Sequence, residues 1–142
     1  MILPDANVLI YAFRRDLPQH QACHSWLATI VSSDARFGLS PMVLSAVVRI
    51  TTNGRAFRTP SASEEVFGFC EDLLGQPHCQ IVEPGERHWY IFRRLCIETD
   101  TRGPRVADAW FAALAIEWGC EWITFDRDYA RFPGLKWQVP AT

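Results

Sequence analysis

Lysine is almost missing from this 142-residue chain: Lys136 stands alone against thirteen arginines. Sixteen acids leave a formal net charge of −2, so no global basic field advertises nucleic acid. The arginine bias keeps two readings open, phosphate binding through the planar guanidinium fork and ordinary surface ion pairing. Long apolar runs are missing too; none approaches the ~18–20 residues of a membrane span. Asp5 interrupts the opening apolar stretch, and no basic segment precedes it, so a secretory signal is not expected. The sequence therefore reads as a soluble, cytoplasmic protein without a membrane partner. Paired cysteines are absent as well. Cys23, Cys70, Cys79, Cys96 and Cys120 are an odd number with no C-x-x-C spacing, which argues against a disulfide framework or a zinc site. Buried free thiols are expected instead.

What is present is enough apolar material, 49% of residues, to build one core, and residues 1–142 read as a single domain. MILPD reads as a short buried strand and ANVLIYAFRR as a helix. PQHQACHSWLATIVSS is a second helix, ARFGLS a strand, and PMVLSAVVRITT a helix with Pro41 in its first turn and Asn53-Gly54 past its end. SASEEVFGFCEDLLG is a helix that Ser61 or Ser63 could cap, with Gly75 closing it. HCQIVEP is a strand. GERHWYIFRRLCIETD is a helix with Trp89, Phe92, Leu95 and Cys96 at helical spacing. GPRVADAWFAALAIEWG carries the strongest helical pattern, from Pro104 to Gly119. CEWITFD is a strand, DRDYARFPG a turn or short helix, and LKWQVP a last strand. Short apolar runs alternating with helices predict an α/β fold around a largely parallel sheet. In such sheets ligands gather outside the carboxyl ends of the strands.

Carboxylates recur at those ends. Asp5 ends the first strand, Asp126 ends EWITF with Asp128 two residues on, and Asp108 lies in the first turn of the long helix. Taken singly, each has a structural explanation: a helix cap, a dipole-favoured acid, a turn residue. Taken together they could converge on one site. Two carboxylates ~4 Å apart repel by ~4 kcal/mol at an effective dielectric of ~20, so three together call for a cation. Oxygen ligands suit a hard ion such as Mg²⁺.

MILPDANVLIYAF resembles the opening strand and helix of PIN-domain proteins. VADAWFAALAIEWGCEWITFDRDYARFPGLKW resembles the C-terminal half of VapC-type toxins, the ribonucleases of type II toxin–antitoxin pairs, and LSPMVLSAVVRITTN resembles their middle helix. The resemblance implies a PIN-like three-layer fold, a parallel sheet of about five strands with helices on both faces. It implies Mg²⁺-dependent endonucleolytic cleavage of RNA, with Mn²⁺ as a substitute ion. It implies a homodimer and a VapB-type antitoxin lying across the acidic groove. Asp5, Asp108 and Asp126 match the family's metal-site positions. Asn7 matches the polar residue that steadies the first carboxylate, Thr124 a small hydroxyl beside the site, and Asp128 an outer carboxylate.

One departure stands out. Many PIN domains carry a Glu on the middle helix, whereas no acid occurs here between Asp34 and Glu64. Ser45 is the nearest polar substitute, as a water holder or weak ligand, and its alternative is a helix Ser bonding its own backbone. The loss leaves one metal or two undecided. It also keeps a second reading open, a catalytically impaired PIN domain that binds RNA or antitoxin without cutting. Arg127 and Arg131 flank the acidic loop, and Arg49 and Arg55 flank the end of the middle helix. All four are candidates for RNA phosphates or for ion pairs. None of the four histidines falls beside the acids in the motif. A phosphatase of the haloacid dehalogenase type is disfavoured because Asn7 stands where that class needs a second Asp.

Overall fold

The computed structural model describes residues 1–141. Its elements follow the order β1 (Ile2–Pro4), α1 (Ala6–Phe13), α2 (His20–Ser32), β2 (Phe37–Leu39), α3 (Pro41–Thr51), α4 (Ser63–Leu74), β3 (Cys79–Ile81), α5 (His88–Glu98), α6 (Val106–Trp118), β4 (Glu121–Ile123) and β5 (Trp137–Gln138). Single 3-10 turns at Gly103–Arg105 and Arg127–Arg131 lead into α6 and out of β4. The five strands form one parallel sheet in the order β3-β2-β1-β4-β5. The expected α/β architecture is therefore present.

The order explains where the helices lie. From β1 the chain winds outward through β2 to β3, then returns past β1 to β4 and β5. Right-handed crossovers put the helices of these two excursions on opposite faces. Accordingly α1 packs on α2 and α3, and α3 on α4, while α5 runs along α6. The winding reverses between β1 and β4, which opens a crevice outside their carboxyl ends.

The central strands bury nearly every residue. Leu3, Phe37, Leu39, Trp122 and Ile123 are all within the core, as expected of a sheet covered on both faces. Alanine at 109, 112, 113 and 115 lets α6 lie close against it. Pro4 has no N–H to give to β2, and the β1–β2 pairing is limited to Ile2↔Phe37. On the other side β1 and β4 pair through Pro4↔Ile123, and the Asp5 N–H extends the ladder to the Ile123 carbonyl at 2.8 Å. This register sets Asp5 beside Thr124.

Two local expectations change. Neither Ser61 nor Ser63 caps α4: its N-cap is Ala62, without a side-chain bond. The Ser61 hydroxyl instead accepts from the buried guanidinium of Arg14, which also donates to the Thr59 carbonyl and pairs with Asp16. On α5, Leu95 is buried but Trp89 is 60% exposed, so the apolar stripe is narrower than its spacing suggests. Of the five free thiols, Cys23, Cys70 and Cys120 are buried and Cys79 and Cys96 are half-buried. Among the described residues no helix is long and apolar enough to cross a membrane.

Candidate functional site

Asp5 does two jobs. Its Oδ1 accepts from the Ala6 N–H at 2.6 Å and so caps α1. Its Oδ2 accepts from the Thr124 hydroxyl at 2.7 Å and from Asn7 Nδ2 at 3.3 Å. Thr124 is fully buried, and its single hydroxyl is saturated. It donates to Asp5 and accepts from Asn7 Nδ2 at 3.1 Å and from the Asp126 N–H at 3.0 Å. Asn7 closes the ring by accepting from the Phe125 N–H at 3.3 Å. The ends of β1 and β4 are thus locked together through Asp5, Asn7 and Thr124. Asp126 then caps the following 3-10 turn by accepting from the Asp128 N–H at 3.0 Å.

Asp108 reaches the same crevice from the first turn of α6. Its Oδ1 accepts from the buried Tyr129 hydroxyl at 3.4 Å. Its Oδ2 faces two guanidiniums, Arg105 and Arg131, each at 3.9 Å. Arg105 also pairs with Asp128 at 2.6 Å. Tyr129 and Arg105 are absent from the sequence reading. Arg105 left one usable signal, its place three residues before Asp108 on the same helix face.

The electrostatics follow from this crowding. Burial pushes the Asp5 carboxyl up to about 6; Thr124 and the Ala6 N–H oppose the rise, while the charges of Asp108 and Asp126 add to it. Asp108 is raised as well, first by burial and then by Asp126, against the pull of Arg131 and Arg105. Burial and the surrounding acids also raise Tyr129, which keeps its proton and donates it. Ionised together, these carboxylates need a cation.

The donor set fits a hard divalent ion. Asp5, Asp108 and Asp126 offer only oxygen, and Asp108 Oδ2 accepts no hydrogen bond from a described residue. As placed, no three acidic, His or Cys side chains among the described residues converge closely enough to hold a metal ion, so the acids would have to draw together around one.

Of the remaining sequence candidates, Ser45, Arg49 and Arg55 make no polar contact with the acids among the described residues, whereas Arg127 and Arg131 lie on the turn that Asp126 caps. Ser45 is exposed on α3 and has no hydrogen bond to the acids; with Met42, Arg49, Phe92 and Trp110 it lines an apolar groove between α3, α5 and α6. Arg55 sits in the exposed turn after α3, and Arg127 is exposed on the acidic loop. Arg131 stacks over the Phe132 ring at 4.5 Å, beside Asp108. The fully buried His88 bonds the Trp110 carbonyl at 3.0 Å, in the α5–α6 contact.

A PIN-domain family model matches residues 2–135. Ribonuclease VapC43 of Mycobacterium tuberculosis (strain ATCC 25618 / H37Rv) is 38% identical over 140 residues, covering 99% of this chain and 95% of that protein. Ribonuclease VapC31 of the same strain is 38% identical over 136 residues, covering 96% of each. VapBC2 from Rickettsia felis, bound to a DNA fragment from its promoter, superposes with a TM-score of 0.71 at 16% identity over 98% of both chains. Mycobacterium tuberculosis VapC20, a Sarcin-Ricin loop cleaving toxin, gives 0.69 at 13% identity over 92% of this chain and 93% of that one.

Proposed function

This chain belongs to the PIN-domain family of VapC-type ribonucleases, the toxins of toxin–antitoxin systems, and we propose that it hydrolyses RNA phosphodiester bonds at the cleft of Asp5, Asp108 and Asp126 with a divalent cation. One observation carries the assignment of the site. The Thr124 hydroxyl ties Asp5 at one strand end to the Asp126 backbone at the next, and Tyr129, on the turn that Asp126 caps, donates to Asp108 of α6.

Asp5, Asp108 and Asp126 would hold the ion, Mg²⁺ in the first instance with Mn²⁺ as a substitute. Such an ion would supply Lewis-acid polarisation of the phosphate and a water of lowered pKa. The chain's own residues prepare that step. Thr124 and Asn7 fix the rotamer of Asp5, so no reorganisation is needed when charge develops. Tyr129 orients Asp108. Arg131 supplies a fixed positive charge beside it for a phosphate oxygen. Attack by water leaves a 5′-phosphate and a 3′-hydroxyl, and no residue forms a covalent bond to RNA.

Within this reading residues 1–142 work as one cytoplasmic domain. A VapB-type antitoxin is its inhibitory partner, and a second copy is its companion in a homodimer. The VapB-type partner is supported by the VapBC names of two solved structures that share this fold. Arg49, Arg55 and Arg127 are exposed cations that RNA phosphates can reach.

The test is incubation of antitoxin-free protein with total bacterial RNA, in Mg²⁺ or in EDTA, beside an Asp108→Asn variant, with cut sites mapped by end sequencing. Discrete cuts with 5′-phosphate ends are expected in Mg²⁺, and a loss of at least about 100-fold in the variant. Folded wild-type protein that leaves every RNA intact sinks the catalytic reading and favours a binding-only PIN domain.

A further inference from the structure

Arg105 is oddly placed. It ends the 3-10 turn Gly103–Arg105 and stands at the N-cap of α6, where the helix dipole disfavours a cation. Local helix preference therefore does not account for it. Its two contacts do: Nη1 lies 2.6 Å from Asp128 Oδ2 and 3.9 Å from Asp108 Oδ2. Among the described residues, two guanidiniums pair with the acids of the cleft, Arg105 with Asp128 and Asp108 and Arg131 with Asp108, while Asp5 and Asp126 pair with neither.

The two arginines differ in freedom. Arg131 is 27% exposed, stacked over Phe132, with a buried Nη2 that makes no hydrogen bond. Arg105 is 52% exposed and its partner Asp128 is 55% exposed. Solvated pairs of that kind exchange partners at little cost. Arg105 can therefore move within the cleft, whereas Arg131 is held.

Resting on the ribonuclease reading above, we propose that Arg105 is the mobile counter-ion of the acidic cleft: it pairs with Asp128 and Asp108 in the metal-free protein and transfers to a phosphate oxygen of the RNA on metal loading. The charge balance supports the exchange. A divalent ion among the acids makes a neighbouring guanidinium redundant there and repels it. The incoming phosphate supplies the anion that a guanidinium binds through two parallel N–H donors. Asp128 then serves as the anchor of Arg105, not as an outer metal ligand.

The experiment reads metal and RNA separately, without relying on turnover. Mn²⁺ affinity is measured on RNA-free protein by electron paramagnetic resonance. RNA affinity is measured in Ca²⁺ by fluorescence anisotropy with a labelled single-stranded RNA of mixed sequence. The proteins are wild type, Arg105→Gln, Arg105→Lys and Arg93→Gln, the last removing one exposed charge from α5 as a control. In Arg105→Gln, Mn²⁺ should bind about three- to tenfold more tightly, because its competitor is gone, while RNA binds at least about threefold more weakly. Arg105→Lys should restore Mn²⁺ affinity to within about twofold of wild type but not RNA affinity, since an ammonium carries the charge without the fork. Mn²⁺ affinity in Arg105→Gln equal to or below that of Arg93→Gln overturns the proposal. Unaltered RNA affinity in Arg105→Gln overturns it too. Wild-type protein that binds Mn²⁺ and RNA yet cuts nothing defeats the ribonuclease assignment alone, because both affinities still judge Arg105. Wild-type protein that binds no Mn²⁺ overturns both.

Discussion

At the scale of single residues, Asp5 sets stability against function. Its carboxyl titrates near 6 in the fold against 3.8 in the free side chain. Well below its unfolded value of 3.8 it is protonated in both states and contributes nothing unfavourable. As pH rises from 4 to 6 the unfolded chain ionises first, so the fold loses roughly 2–3 kcal/mol and does not recover it at higher pH. Asp108 shifts in the same direction and adds to the loss. Removing the charge should therefore help the metal-free fold. At pH 7.5 in EDTA, Asp5→Asn is expected to melt about 3–6 °C higher than wild type, with the gap closing at pH 4. Mg²⁺ should raise the wild-type melting temperature at pH 7.5 and leave that of Asp5→Asn where it was, and the variant should cut no RNA. A variant no more stable than wild type in EDTA would show that the acids are not mutually strained. Thr124 makes the opposite case. Thr124→Val keeps the shape but leaves one N–H of Asn7 Nδ2 and the Asp126 N–H without an acceptor, and takes a donor from the half-buried Asp5. Urea titration should show a loss of about 1–3 kcal/mol, with cleavage falling too because Asp5 is no longer fixed.

Among the elements, α6 matters most, since it presents Asp108 at one end and is locked at the other. Gly119 closes it with φ 66° and ψ 27°, a left-handed conformation that costs a side chain dearly. A Cβ there would meet nothing within 4 Å, so the penalty is backbone strain without a clash. Gly119→Ala should lower stability by about 1–2 kcal/mol in urea titration and leave the cleavage rate at 20 °C within about twofold of wild type. A larger kinetic effect would mean that strain at the C-terminus reaches Asp108 along the length of α6. Helix ends were legible where glycine or proline marked them, as at Pro41, Gly75 and Gly119. They were illegible where a distant side chain competed for the cap. Ser61 is such a case: Arg14 claims its hydroxyl from 47 residues away. For the same reason the acids at strand ends could be read from periodicity plus parallel topology, and Arg105 could not, because its partner Asp128 is near only in space.

Over the whole molecule, the strand–helix alternation carried enough information for the parallel sheet and for acids at the ends of β1 and β4, whereas the grouping of Asp108 with Asp5 and Asp126 came from the family resemblance. It could not say which aromatics would remain outside the core, because helical spacing reports a face and not what covers it. Trp89, Tyr90 and Ile97 on α5 are 60%, 72% and 62% exposed, and Met42 on α3 is 56% exposed. Met42 lines the groove that Phe92 and Trp110 wall, so apolar surface is shared by α3, α5 and α6 on one side of the cleft. Such a surface is costly to leave in water and marks an interface. Six tryptophans in a chain with one lysine fit this view, since aromatics are favoured and lysine is depleted at interface cores. If two copies bury this face, light scattering of antitoxin-free protein should give twice the 16.2 kDa chain mass. Trp89→Glu combined with Met42→Glu should return the single-chain mass while preserving the circular dichroism of the fold. Should the double variant stay dimeric, the face is free for the antitoxin instead. A VapB-type partner would then lose affinity for the variant, and the copies must meet elsewhere.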